Sequence, residues 1–489
     1  MERQIRRVGI GLIALFLAVF VQLNYVQIFA ANDIANNGAN VRALIKKYSV
    51  KRGSIVTSDG VEIAKSVATN GKYKYKRTYP EGELYAHITG YLPFAGEATG
   101  IEAAYDDDLI GEGGTLSMQD IQDRLLGSGE RGDDVILSID SRLQEAARDA
   151  LGDNVGAIVA LDPQTGEIRA LYSNPTFDPN PIASFDAGIA EDYYQSLDPN
   201  SGTSPLVSVA TSRTFPPGST FKVLTASAAL ESGRYQPDST FDDPDEIDLP
   251  LTDQTLTNYS HQSCTGSGQI DLFTALEISC DTTFAMIGLK IPDDIREMAE
   301  RMGFNEPLPL ETGTAPSTFP TIEDDEEPLR AYAGIGQGDV AATTLQMAIV
   351  AATIANDGEV PKPRLLHQII DASAGVVNEP EPETLGQAMS ATNAAEVTDM
   401  MVAVVGSGTG TNAQITGVEV AGKTGTAQSV EGANPHAWFI SFAPADDPQL
   451  VVAVFVQNGG SFGAEATGAL VAAPMAKAIL EADRRLRDW

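Results

Sequence analysis

Thr214-Phe215-Pro216-Pro217-Gly218-Ser219-Thr220-Phe221-Lys222 is the stretch on which the reading of this chain turns. Pro216, Pro217 and Gly218 stop any earlier helix, which predicts Ser219 at a helix N-terminus. Lys222, three residues on, shares a helix face with it, with Cβ atoms roughly 5–6 Å apart, so the amine can reach the serine oxygen. A serine hydroxyl is a poor nucleophile until a neighbouring base takes its proton. The free N–H groups and dipole of a first helical turn favour negative charge, which supplies one half of an oxyanion hole. Ser219 is the only serine in the chain with a lysine three residues on. Taken alone, the pair is also what an ordinary helix start would show.

Lys423-Thr424-Gly425-Thr426 occurs once, behind the apolar run Val418-Glu419-Val420-Ala421-Gly422. Two further strand-like runs follow, Trp438 to Phe442 and Leu450 to Gln457. A cation, hydroxyls and a side-chain-free glycine on an exposed strand suit an extended peptide ending in a carboxylate. The same residues could equally form a plain hairpin corner.

Between these elements lies Ser279-Cys280-Asp281. In this order the three motifs resemble those of the penicillin-recognising serine transpeptidases and β-lactamases. Further landmarks of that resemblance are 162–170, 174–180, 334–338, 345–348 and 355–358, so it covers roughly Ser138 to the C-terminus. It is strongest to class B penicillin-binding proteins of the type called penicillin-binding protein A. The resemblance implies D,D-transpeptidation of peptidoglycan stem peptides, with Ser219 as nucleophile, Lys222 as its base and Ser279 relaying a proton to the leaving amine. Asp281, Lys423, Thr424, Gly425 and Thr426 would bind substrate, and the N–H groups of Ser219 and Thr426 would form the oxyanion hole. It also implies acylation by β-lactams, a lipid-linked nascent strand as substrate, and a membrane glycan polymerase and division proteins as partners. The middle motif usually ends in asparagine, and Asp281 stands there; an ionised aspartate only accepts hydrogen bonds. A D,D-carboxypeptidase would share every residue named. A catalytically weak β-lactam-binding scaffold is a further alternative, favoured by Asp281 alone. A serine β-lactamase is disfavoured, since no Glu-x-x-Leu-Asn segment is found.

Arg3, Arg6 and Arg7 precede an apolar run from Val8 to Val21, with Gln22, Asn24 and Gln27 among further apolar residues to Ala31. This predicts an uncleaved single-pass anchor with its N-terminus in the cytoplasm and the catalytic part outside; a cleaved signal peptide is the rival. The net charge of −35 excludes a nucleic-acid partner. The acid runs Asp242 to Asp248 and Glu323 to Glu327 read as solvated surface loops. The four histidines, His87, His261, His367 and His436, form no ligand spacing, so neither metal nor cofactor is inferred. Cys264 and Cys280 are the only cysteines, and in an exported chain they are expected to form a disulfide.

The expected organisation is a cytoplasmic tip and anchor (1–31), a non-catalytic pedestal (32–135) and a transpeptidase domain (136–489). Arg52-Gly53-Ser54-Ile55 resembles the start of a class B pedestal, with Thr57-Ser58 in place of the usual Asp-Arg. Asp140 can cap a helix with the apolar face Leu143, Ala146, Ala147, Ala150 and Leu151. Val155 to Leu161 and Ile168 to Tyr172 read as a hairpin, three strands come near Lys423, Phe439 and Val454, and a helix starts near Ala469. Strands at both ends with helices between predict an α+β fold, one antiparallel sheet covered by helices.

Overall fold

The computed structural model describes residues 2–28, 45, 47–113, 131–323, 326–371, 373–427 and 433–489. Near the N-terminus, α1 (Glu2–Ile28) carries a 20-residue apolar stretch from Arg6 to Tyr25, none of it buried against the rest of the protein. That length and composition fit a single membrane span. Asn24, one of its polar residues, donates its side-chain amide to the Phe20 carbonyl at 2.8 Å.

Beyond it come β1 (Ile55–Val56), β2 (Glu62–Ala68), β3 (Tyr75–Thr78) and β4 (Asp134–Leu137). They surround a buried ionic cluster. Glu102 is fully buried; its carboxylate takes the Arg52 Nε–H at 2.6 Å, a further N–H from Arg77, and the Tyr79 hydroxyl at 3.2 Å. Two guanidinium groups hold that carboxylate below its ordinary range against the opposing effect of burial.

The Asp140 carboxylate caps α2 (Ser141–Leu151) by accepting from Arg142 N–H, and Leu143, Ala147 and Leu151 are buried as the pattern predicts. The chain then forms the hairpin β5 (Gly156–Leu161) and β6 (Ile168–Asn174). Next come α3 (Lys222–Glu231), α4 (Asp281–Lys290), α5 (Thr344–Ala355), β7 (Leu366–Ile370), β8 (Val376–Asn378) and α6 (Ala391–Gly406). The last elements are β9 (Ala421–Ala427), β10 (His436–Ala443), β11 (Leu450–Val456) and α7 (Ala473–Arg487).

Five strands make the central sheet in the order β9-β10-β11-β5-β6, all antiparallel. The entirely buried α5 packs on β5, β10 and β11, while α2 and α7 pack on each other and over β6, β10 and β11. Covering both faces buries every residue of β5, β10 and β11, which is why they read as continuous apolar runs rather than as alternation. The α+β class with an antiparallel, helix-covered sheet is the one the sequence predicts. A second sheet has the order β8-β7-β4-β1-β2-β3, with β1 and β4 parallel. Residues 366–370 and 376–378 thus come from the C-terminal part of the sequence to complete the sheet begun by residues 55–78 and 134–137, with Leu366 opposite Leu137 and Ile369 opposite Val135.

Candidate active site

Pro217 ends the incoming loop, and Gly218–Phe221 forms a 3-10 turn that runs into α3 at Lys222. Ser219 therefore sits one tight turn ahead of the α-helix, partly exposed between buried Gly218, Thr220 and Phe221. The turn is held from several sides. Thr220 Oγ1 donates to the Pro217 carbonyl at 2.7 Å, and Trp438 Nε1 on β10 donates to the Pro216 carbonyl at 3.0 Å. Gly218 has φ +54°, and a Cβ there would meet the Thr426 carbonyl oxygen at 2.9 Å, so the nucleophile turn lies directly against β9.

Lys222 opens α3 fully buried. Its Nζ lies 2.8 Å from the Ser279 carbonyl oxygen, 3.3 Å from Ser279 Oγ and 2.7 Å from Asp281 Oδ1. Three acceptors match the three protons of an ammonium group. Burial drives the Lys222 pKa below its ordinary value, and the charge and hydrogen bond of Asp281 pull it back. The expected pairing with Ser219 is thus replaced, among the described residues, by contacts with Ser279 and Asp281.

Ser279 has a left-handed backbone, φ +64°, just before α4. That bend lets its carbonyl and hydroxyl both face the lysines. Asp281 is the first residue of α4, where the helix dipole favours a carboxylate. Cys280, between them, is bonded to Cys264 in the expected disulfide. Asp243 supports the other end of this bridge: it is buried and accepts from the N–H groups of Cys264 and Thr265, both at 2.7 Å. That corrects the reading of the 242–248 acid run as solvated throughout: the amides of Cys264 and Thr265 offset the cost of burying the Asp243 carboxylate.

From β9, buried Lys423 places Nζ 2.8 Å from Ser279 Oγ and 3.0 Å from the Thr424 carbonyl. Burial, then the neighbouring Lys222 charge, push the Lys423 pKa well below its ordinary value, and Asp281 opposes this. Ser279 Oγ therefore bridges two lysines, of which Lys222 alone is paired with the Asp281 carboxylate. Thr424 Oγ1 pairs with Thr409 Oγ1 at 2.7 Å, and Thr426 Oγ1 accepts from Gly468 N–H at 3.4 Å. A Cβ on Gly425 would sit 2.8 Å from the Pro217 carbonyl oxygen and 2.9 Å from Thr220 Cγ2. No side chain fits at that crossing.

Residues 156–481 match the family model of the penicillin-binding protein transpeptidase domain. The chain belongs to this family. Residues 52–135 match a second model, the penicillin-binding protein A dimerisation domain. The chain is 37% identical to the peptidoglycan D,D-transpeptidase PbpA of Mycolicibacterium smegmatis, and 36% identical to that of Mycobacterium tuberculosis, over 99% of each chain in both cases. Its structure resembles the ceftriaxone acyl-enzyme complex of M. tuberculosis penicillin-binding protein A with a TM-score of 0.84 and 36% identity, covering 90% of this chain and 99% of that one. A crystal structure of M. tuberculosis PBPA gives a TM-score of 0.83 at 37% identity, covering 89% of this chain and 99% of that one.

Within this penicillin-binding protein the structure brings Lys222, Ser279, Asp281 and Lys423 into one hydrogen-bonded group and sets the Ser219 turn against Gly425. Sequence reasoning passed over Thr409, Trp438 and Gly468, which hold the site from behind. Each is brought in by the packing of an element remote in sequence, and no local spacing marks it.

Proposed function

We propose that this penicillin-binding protein is a membrane-anchored peptidoglycan D,D-transpeptidase that acts through a Ser219 acyl-enzyme. Ser219 Oγ attacks the carbonyl between two terminal D-alanines while Lys222, in its neutral form, takes the hydroxyl proton. To do so the amine must release one of its three acceptors and turn a lone pair to Ser219. The proton passes through Ser279 to the leaving amine; Ser279 Oγ lies within hydrogen-bond distance of both lysines, and this observation carries the reading. Lys423, Thr424 and Thr426 hold the terminal carboxylate, and the N–H groups of Ser219 and Thr426 stabilise the oxyanion. An amine from a second stem peptide then takes the acyl group and loses a proton to the same relay.

On this reading residues 1–31 are the cytoplasmic tip and anchor, 32–135 the pedestal and 136–489 the catalytic domain, outside the membrane. A membrane glycan polymerase supplies the nascent strand, and β-lactams acylate Ser219 because their strained amide mimics the terminal dipeptide. Labelled penicillin followed by peptide mapping tests this. The adduct is expected on the Ser219 peptide and should vanish in Ser219→Ala; labelling at another residue would overturn the mechanism. Incubation with a cross-linkable stem peptide should yield dimer, and penicillin labelling without any product would favour the scaffold that Asp281 suggests.

A further inference from the structure

The charge of this chain is divided very unevenly. Residues 42–78 hold ten Lys and Arg against two Asp and Glu, a net +8, whereas residues 79–489 hold 19 against 63, a net −44. The basic stretch lies immediately after the anchor in sequence. Folding buries Arg52 and Arg77 against Glu102 and leaves Lys65, Lys72, Lys74 and Lys76 together on one hairpin. β2 and β3 form a hairpin at the edge of the second sheet, with Val67 opposite Lys76 and Lys65 opposite Thr78. Alternation turns Arg77 into the buried cluster and leaves Lys65, half-exposed Val67 and Lys76 on the outer face. Lys72 and Lys74 are exposed at the tip. Lys65 pairs with Glu62, but among the described residues Lys72, Lys74 and Lys76 have no acidic partner.

The chain coming from α1 joins the fold at this same tip, where Tyr75 N–H donates to the Tyr48 carbonyl at 3.1 Å. Tyr73 packs there with Tyr48, Phe94 and Phe185 at centroid distances of 5.0–5.8 Å, and the Lys72 ammonium lies 5.7 Å above the Tyr73 ring. Aromatic rings interleaved with lysines are the composition that settles at a bilayer interface.

We propose that the β2–β3 hairpin docks on the anionic lipid headgroups of the membrane that holds α1. Attraction at the hairpin and repulsion of the acidic catalytic body act in the same sense, and together they orient the molecule upright. The inference goes beyond the proposed reaction and rests only on α1 being an anchor.

The test uses the full chain in vesicles containing brominated phosphatidylcholine, with or without phosphatidylglycerol. Asn70→Trp places a fluorophore at the hairpin tip, and the unsubstituted chain supplies the background of Trp438 and Trp489. Bromine quenching of the new tryptophan is expected with phosphatidylglycerol, to be lost in high salt, and to be absent with phosphatidylcholine alone. Reversing Lys72, Lys74 and Lys76 together to Glu should weaken docking on the order of a hundredfold or more. Penicillin labelling of the variant reports that it is folded. Equal quenching in both lipids, or quenching that follows protein density instead of lipid charge, would overturn the docking; the latter would point to a second copy. Failure to float with either vesicle would remove the anchor reading and this inference with it, while leaving penicillin labelling of Ser219 untouched.

Discussion

If Lys222 is the base, as proposed, Asp281 and Lys222 together set the pH at which the nucleophile is armed. Burial lowers the Lys222 pKa, and Asp281 is the group that opposes this. Removing the carboxylate removes the opposition, so Asp281→Asn lowers that pKa further. The neutral amine then exists at lower pH, and the limb over which acylation rises with pH moves down. Penicillin acylation measured from about pH 5 to 9 should show this shift and a faster variant near neutrality. An unmoved limb would mean that the aspartate does not govern the base. At Gly425 the expected outcome is steric: Gly425→Ala must push apart backbone, costing about 1–3 kcal/mol. Thermal unfolding and loss of penicillin labelling check it. The three-residue spacing of Ser219 and Lys222, and the single lysine-threonine-glycine strand, made these residues legible in the sequence. Which lysine Asp281 would meet was not legible, because the choice depends on the left-handed bend at Ser279.

Elements were easiest to read where both faces are buried. β5, β10 and β11 announced themselves as apolar runs, and their ends fell within a residue or two of the structure. The start of α3 did not follow the simple pattern, because two prolines and a glycine favour a tighter 3-10 turn before the helix can begin. Asp243 was hidden for a different reason: its partners, Cys264 and Thr265, lie more than twenty residues away. The loop that contains them is tied to α4 through Cys264 and Cys280, whose separation is 16 residues. Loop-closure entropy for such a span gives roughly 3 kcal/mol. Reduction should lower the denaturant midpoint accordingly, and thiol counting before reduction should find none; two free thiols in the native protein would refute the bridge.

At the scale of the molecule, the ionic cluster of Arg52, Arg77 and Glu102 is enclosed by the N-terminal sheet. Removing one partner leaves uncompensated buried charge, so Glu102→Gln should cost on the order of 3–5 kcal/mol. Calorimetry should show the loss, while the penicillin adduct of the surviving folded protein should stay on Ser219. The charge division between residues 42–78 and the rest was visible in the sequence, but its concentration on one hairpin was not. Nor could periodicity show that β7 pairs with β4, since the partners stand more than 200 positions apart. That pairing constrains how such a chain can evolve. Genetic exchange between relatives that swaps only residues 52–137 would bring in a β4 whose partner, residues 366–370, stays behind with the recipient. Side chains matched across Leu366–Leu137 and Ile369–Val135 would be separated, and a mismatched strand edge invites aggregation. Viable mosaics should therefore inherit both stretches from one parent, and paired chimaeras with and without residues 366–378 would show the difference in soluble yield.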